Sequence, residues 1–428
     1  MKLSPASVAV GFPWAKLLKQ KKDIKGRVIG FSGTIGNAMT VLAEAEPWQN
    51  VIGYDEFANE IVLHREPPTR KQDRVPGLEY PRYWSSEDTT RTVTWLTDLF
   101  RVEIDPSKVR AAVFAISKRH AYHPVRAWLH SLPVWDGTPR IDRLFVDYMG
   151  AEDTDYVRSI GGKFMIGLVA RAETPGCKLD TMPIAEGLQG KLKSSALRAL
   201  MPVAAWFSDT PIDFGSKDAY QCLNGKWLIE IAELDGFDKW DARRIKSFVS
   251  SAADYYRPSY GEKAVNFPRQ CVFTGTTNDE QYLHDRSGGR RFWPFSVRGK
   301  VDLAGIERDR EQLFAEALAR FRAGDRWWLT ETEEEAARIE QGARTAEDPW
   351  EGRVVAWLAK PQRREFGHLV GALDVSGGIS ASEVAEHALG IEPDRQTHSH
   401  TIRVGCALKS AGWVSRGKAR PRRYFPPA

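Results

Sequence analysis

The chain has 428 residues, 42% of them apolar and 27% charged, enough to bury ordinary globular cores, which excludes a disordered or fibrous chain. Sixty-one Lys and Arg against 56 Asp and Glu leave a formal charge of +5, too small by itself to demand a polyanionic partner. Cys177, Cys222, Cys271 and Cys406 lie too far apart for a CxxC pair, so neither a zinc ribbon nor a disulfide framework is expected. No apolar run reaches the roughly 18 residues needed to span a bilayer, and Met1 to Lys22 lacks the apolar core of a signal peptide. A cytoplasmic protein without a membrane partner is expected. The charge is concentrated at the ends: Met1 to Arg27 carries seven basic residues and one acidic, and Thr401 to Ala428 seven basic and none acidic. Both ends are candidate nucleic-acid arms.

In chain order, the spacing predicts a helix over Asn37–Ala45 and strand over Tyr54–Leu63, followed by an exposed loop from Arg65 to Arg82 rich in Pro, Arg and Lys. Ser85 and Ser86 before Glu87 and Asp88 form a helix-capping signal, with Val93, Leu96, Leu99 and Phe100 behind it at helical spacing. Further helices are expected at Pro106–Lys118, Val125–Ser131, Arg140–Met149 and Asp155–Arg171. From Lys178 the pattern changes to short β-rich runs, Thr181–Ala185, Trp227–Ile231 and Gln270–Gly275, separated by helical stretches. That alternation predicts an α/β fold with a largely parallel, buried sheet. Helices follow at Ile306–Ala323 and, strongly acidic, Glu331–Gly342. The tail reads as helices at Trp350–Leu358, Ser380–Leu389 and Ser399–Ala411, closed by a basic turn Arg416–Arg420 between β-like pairs, the plan of a winged helix. The expected organisation is a basic accessory region over 1–84, a helical domain over 85–172, a nucleotide-binding core over 173–325, an acidic helical linker over 326–349, and a basic winged-helix-like domain over 350–428.

The strongest chemical signal is Glu186-Gly187-Leu188-Gln189-Gly190-Lys191-Leu192-Lys193-Ser194-Ser195, between a strand and a helix. A phosphate cradle needs this order: glycines turn backbone amides toward phosphate oxygens, Lys193 reaches the β and γ phosphates, and Ser194 holds Mg²⁺. Leu192 stands where such a loop has glycine, a strain of about 1 kcal/mol if its backbone is left-handed. In Trp227 to Asp235 an apolar strand ends in acids, placing a carboxylate beside the loop to hold magnesium and polarise water. Glu233 is the favoured acid, with Glu230 and Asp235 as alternatives. Asn278, ending the next β-rich run, suits orientation of the attacking water. Arg290 and Arg291, after glycines, can be projected onto a neighbouring subunit's nucleotide.

Together, Trp135-Asp136-Gly137-Thr138-Pro139-Arg140, Val169-Ala170-Arg171 with Pro175-Gly176-Cys177-Lys178, Glu186 to Gly190, Glu230 to Leu234, Arg257-Pro258-Ser259-Tyr260-Gly261, Gly275 to Asn278 and Arg290 to Pro294 resemble the virulence-associated protein E family. That family comprises P-loop ATPase domains of phages and mobile elements related to superfamily three helicases. The resemblance covers roughly residues 85 to 300 closely and the tail more loosely. It implies an ASCE/AAA+-like core with ATP and Mg²⁺ bound by Gly187, Gln189, Gly190, Lys191, Lys193, Ser194 and Ser195. It further implies a Walker B acid at Glu233, a sensor at Asn278 and an arginine finger at Arg290 or Arg291. It places a DNA-gripping pore hairpin at Arg257, Tyr260 and Lys263.

The expected function is a DNA-dependent ATPase acting as a ring helicase or translocase in phage or mobile-element replication. Its expected partners are single-stranded and duplex DNA, five further copies of itself in a hexamer, and a primase or other replication protein in trans. In the tail, Arg403, Lys409, Arg416, Lys418, Arg420, Arg422 and Arg423 are expected to hold DNA. The alternative is a DNA-binding initiator or regulatory scaffold with vestigial turnover.

Overall fold

The computed structural model describes residues 13–214, 216–233, 239–257, 263–279, 281–283, 289–345, 348–416 and 422–427, and divides after Arg344 into two compact units. No helix among the described residues is long and apolar enough to cross a membrane.

The first unit begins with an antiparallel hairpin, β1 (Gln20–Lys22) and β2 (Val28–Phe31), then helix α1 (Ile35–Glu44), whose Thr34 cap accepts from the Asn37 amide. Strands β3 (Ile52–Asp55), β4 (Glu60–Leu63), β5 (Arg82–Tyr83) and β6 (Ala121–Tyr122) form a four-stranded sheet in the order β5-β4-β3-β6. Two helices lie between β5 and β6. In α2 (Ser86–Phe100) the expected cap is a reciprocal box: the Asp88 amide donates to Ser85, and Asp88 accepts from the Ser85 amide. Arg82 adds a bidentate ion pair to the same buried carboxylate at 2.6 Å through each nitrogen. Helix α3 (Pro106–Ser117) starts at Asp105, with Pro106 where its missing N–H costs nothing. Val41, Leu63, Trp84, Leu96, Phe100 and Val113 share one core. The boundary expected at residue 84 therefore falls inside a packed body, because the apolar faces of α2 and α3 are needed to cover elements that precede it.

After α4 (Pro124–Ser131), whose cap His123 accepts from the Arg126 amide at 3.2 Å, comes the Trp-Asp-Gly-Thr-Pro-Arg turn. Asp136 accepts from the Thr138 amide at 2.8 Å and from both terminal nitrogens of Arg140 at 2.8 and 2.7 Å, while the Trp135 indole donates to Thr138 O. The helix expected over Arg140–Met149 is instead a 3-10 turn, Ile141–Arg143, followed by a π-helical turn, Leu144–Tyr148. The apolar spacing is real, since Ile141, Leu144, Phe145 and Tyr148 are buried. However, the amides of Arg140 and Ile141 are committed to the buried carboxylate of Glu316, at 2.6 and 3.0 Å. Helix α5 (Asp155–Glu173) is buried nearly all round. Its Arg171 donates to Arg269 O at 3.2 Å and Leu179 O at 2.9 Å, and burial lowers its pKa.

The second sheet contains β7 (Met182–Glu186), β8 (Phe207–Ser208), β9 (Leu228–Ile231), β12 (Val272–Thr277) and β13 (Phe292–Ser296), in the order β13-β7-β12-β9-β8 with every pair parallel. All residues of β7, β9 and β12 are buried, as a sheet covered on both faces requires. Strand β13 was not among the strands expected from sequence; it contains Pro294, and its edge position tolerates the missing donor. Helix α6 (Lys193–Ala199) follows β7, and α7 (Lys239–Val249) precedes the antiparallel hairpin of β10 (Ala253–Tyr256) and β11 (Val265–Pro268). Helix α8 (Leu303–Arg322) packs along α5.

Helix α9 (Glu331–Ala343) lies in the segment expected as a linker, yet it packs on β13. Its Gln341 donates to Phe292 O at 2.8 Å, and Arg344 just beyond it donates to Glu186 at 2.9, 3.1 and 3.0 Å. Its acidic face is solvated, but its other face and its last turn belong to the core.

The second unit contains α10 (Pro349–Ala359), the hairpin β14 (Gln362–Glu365) and β15 (His368–Ala372), β16 (Ile379–Ser380), α11 (Ala381–Leu389), α12 (His398–Ser410), β17 (Val414–Arg416) and β18 (Arg423–Phe425). Val354, Trp357, Val384, Val404, Leu408 and Tyr424 form its core, and β16-β18-β17 its small antiparallel sheet. The three expected helices are present. The β14–β15 hairpin lies outside every element expected from sequence.

The Glu186–Arg344 pair ties the end of β7 to the end of the unit. Replacing Arg344 by Ala leaves a buried carboxylate served only by the hydroxyls of Tyr282 and Ser296, each at 2.9 Å. Denaturant unfolding should show a loss of about 3 kcal/mol; a loss below about 1 kcal/mol would mean the pair is not the anchor.

Candidate functional site

Because the five central strands are parallel, Glu186, Ile231 and Thr277 end on one edge of the sheet, the edge at which open α/β sheets bind ligands. The loop 187–192 starts there. Gly187 has φ +148°, and an added Cβ would meet Val297 O at 2.8 Å; its amide donates to Thr277 O at 3.3 Å, fastening the loop to β12. Gly190, with φ +83°, is exposed and has open space around it. Gln189 is exposed, Ser195 is half-buried, and Lys191 donates to Arg298 O at 3.3 Å.

Lys193, the first residue of α6, is buried. Its ammonium donates to Gly187 O, to Leu188 O at 3.2 Å and to Asn278 Oδ1 at 3.0 Å. Two residues singled out far apart in sequence thus meet directly. Ser194 Oγ donates to Glu230 Oε1 at 2.6 Å, and Thr276 Oγ1 donates to the same oxygen at 2.6 Å. The other oxygen of this buried carboxylate, Oε2, has no donor among the described residues.

The acid touching the serine is therefore Glu230, not the favoured Glu233. Strand β9 ends at Ile231, so Glu233 is two residues beyond it, exposed and with φ +54°. Glu230 is on the strand, and its side chain reaches the loop side of the sheet. Asp235 lies outside the described residues. Thr276 was missed by the sequence reading; the available signal was a hydroxyl two residues before Asn278 on the neighbouring strand. Among the described residues no group of three or more His, Cys, Asp or Glu could hold a metal alone. The donor set of one carboxylate oxygen without a partner beside one hydroxyl instead suits a cation that arrives with phosphate ligands and its own water, as Mg²⁺ does.

Arg290 and Arg291 lie at the opposite edge. They precede β13, whose first residue pairs with the first residue of β7. Arg291 Nε donates to Ser250 Oγ at 2.7 Å, whereas Arg290 is exposed and has no partner among the described residues. Both line a cavity of about 330 Å³ with Trp293, Trp327, Trp328 and Arg338.

In the β10–β11 hairpin, Tyr255 is exposed, while Tyr256 is buried against Phe267 with ring centroids 4.6 Å apart. Arg257 and Lys263 flank its tip and are exposed; Tyr260 lies outside the described residues. In the second unit, Arg416, Arg422 and Arg423 are exposed, Arg423 donating to Gly378 O at 2.7 Å, and Lys418 and Arg420 lie outside the described residues. Arg403 is internal to the unit: it pairs with Asp348 at 2.6 and 2.5 Å and stacks on Trp350 at 3.9 Å.

Leu192 caps α6 in the left-handed region, φ +58° and ψ +24°, with its side chain half exposed. Leu192→Gly removes a Cβ clash worth about 1 kcal/mol, less the entropy glycine adds to the unfolded chain. Chemical denaturation should show unchanged stability or a gain of up to about 1 kcal/mol; clear destabilisation would contradict the backbone assignment.

Solved structures of the NrS-1 C terminal region resemble the chain weakly. The apo structure of residues 305–718 gives a TM-score of 0.46 at 13% identity, covering 90% of this chain and 100% of that one. A second apo structure, in an A form, gives 0.42 at 14% identity, covering 88% and 96%. No curated protein matches the sequence. The model of the virulence-associated protein E-like domain matches residues 129–346, a span that holds the loop, Glu230, Asn278 and the arginines, and the chain belongs to that family.

Proposed function

We propose that this protein is a nucleoside-triphosphate hydrolase, with ATP and Mg²⁺ as its ligands, that works on DNA as a ring-forming helicase or translocase in the replication of a phage or mobile element. The observation that carries the reading is the convergence of Lys193, Ser194, Glu230 and Asn278 at one edge of a parallel sheet.

In this reading Lys193 exchanges Gly187 O and Asn278 for β and γ phosphate oxygens. Asn278, released, orients the attacking water. Ser194 and the unsatisfied oxygen of Glu230 hold Mg²⁺ and its bound water, and the cation when present neutralises charge on the phosphates. The β–γ bridging bond breaks as water adds to the γ phosphorus, leaving nucleoside diphosphate and phosphate. Arg290, rather than the tethered Arg291, crosses to a neighbouring subunit's nucleotide in a homo-oligomer, proposed to be a hexamer. Arg257 and Lys263 of the β10–β11 hairpin and the basic tail contact DNA, and a primase or other replication protein acts in trans.

One observation favours a second reading, a DNA-binding initiator or scaffold with vestigial turnover. Lys193 is already satisfied by carbonyls of its own loop, and Leu192 strains that loop.

Phosphate release measured with and without single-stranded DNA separates the two. The motor reading expects DNA stimulation, a loss of at least about 100-fold in Lys193→Ala and Glu230→Gln, and a loss of about 10³ in Arg290→Ala. Equal, DNA-independent background rates in wild type and Lys193→Ala would establish the scaffold instead.

A further inference from the structure

The β14–β15 hairpin of the second unit is assigned no task by the reading above. Glu365 pairs with His368, so only Phe366 and Gly367 form its turn, and both have positive φ, +46° and +83°. This is the mirror-image two-residue turn, whose first position strongly prefers Asn or Asp. A phenylalanine there strains the backbone, and burial returns nothing, because Phe366 is fully exposed. Leu369 and Val370 on β15 are exposed as well.

The base of the hairpin is well held. The Trp357 indole donates to Gln362 O at 2.9 Å, and the Leu373 amide donates to Pro361 O at 3.0 Å. Arg364 bridges tip and helix, donating to Gly367 O at 2.8 Å and His387 O at 3.3 Å. A hydrogen-bonded hairpin thus presents to solvent an aromatic side chain carried on a strained backbone. Its setting is basic: Arg363, Arg364 and His368 lie on the strands beside the tip, with Glu365 the one acid there, its Oε1 3.9 Å from Arg363 Nη1 at the exposed surface.

We propose that Phe366 is a stacking site for an unpaired nucleic-acid base, with Arg363 following the adjoining phosphate. A ring on a cationic hairpin matches the chemistry of a single strand, whose bases offer π-faces and whose backbone offers charge. The inference rests on the DNA-binding reading and names a contact point within it that lies outside the sheet-edge site and the basic tail.

Anisotropy of a labelled oligo(dT) single strand, titrated with the full chain over a range of salt, tests this alongside thermal unfolding. Phe366→Asn should raise Tm by roughly 2–4 °C, because the turn relaxes, yet weaken binding about tenfold with an unchanged salt slope. Phe366→Trp should keep wild-type affinity, and Phe366→Leu should lose it as Asn does. Arg363→Ala should flatten the log–log slope by about 0.7. Wild-type affinity in Phe366→Asn or Phe366→Leu overturns the stacking site. A fall in Tm for Phe366→Asn would make the ring structural and overturn it too. Absence of any oligo(dT) binding by wild type would overturn the DNA reading along with it, so the two failures are told apart.

Discussion

A buried carboxylate at the end of a parallel strand organises this site. Glu230 Oε1 accepts two hydroxyl protons, from Ser194 on α6 and Thr276 on β12, and so connects three separate elements through one atom. Burying a charged group is tolerable only if its charge and lone pairs are served. Two hydroxyls serve one oxygen, and the other has no donor among the described residues. The same constraint explains the neighbouring ammonium: Lys193, also buried, is satisfied by two loop carbonyls and by Asn278.

The other buried charges do structural work. Glu186 ends β7 where the loop 187–192 begins, yet it is consumed by Arg344, Tyr282 and Ser296. Glu316 holds the amides that start the Ile141–Tyr148 turns, and Arg269 pairs with Asp254 beneath the β10–β11 hairpin, its Nε 3.1 Å from Oδ2. Several family motifs are thus explained as scaffolding. The Trp-Asp-Gly-Thr-Pro-Arg turn is closed on itself by Asp136, and Arg171 braces two loop carbonyls. These groups keep the strand ends in register, so that residues nearly a hundred positions apart meet within hydrogen-bond distance.

Much of this was legible in advance, for physical reasons. The parallel sheet announced itself through short β-rich runs alternating with helical stretches, and α2 through its serine and acids. The loop 187–192 was marked by glycine spacing, and its meeting with Asn278 followed from the rule that ligand groups gather at strand ends. Other features had no local signal. Whether Glu230 or Glu233 faces Ser194 depends on where β9 stops, and a strand's last residue is among the least certain features of a sequence. The charge of α9 suggested a linker because its contacts with β13 are made by the residues between the acids. Residues on both sides of the expected boundary at 84 share one core, because a core can be built from segments whose compositions differ. Phe366 carries no signal in the sequence; only its backbone angle and full exposure single it out.

The central claim is that the edge holding Lys193, Ser194, Glu230 and Asn278 clasps a triphosphate. Calorimetric titration with a nonhydrolysable ATP analogue and magnesium tests it most directly, with Lys193→Ala and magnesium-free buffer as controls. The account expects one site per chain that weakens at least about tenfold without magnesium and is lost in Lys193→Ala. No heat in the wild type at saturating nucleotide, or equal binding in wild type and Lys193→Ala, would contradict it.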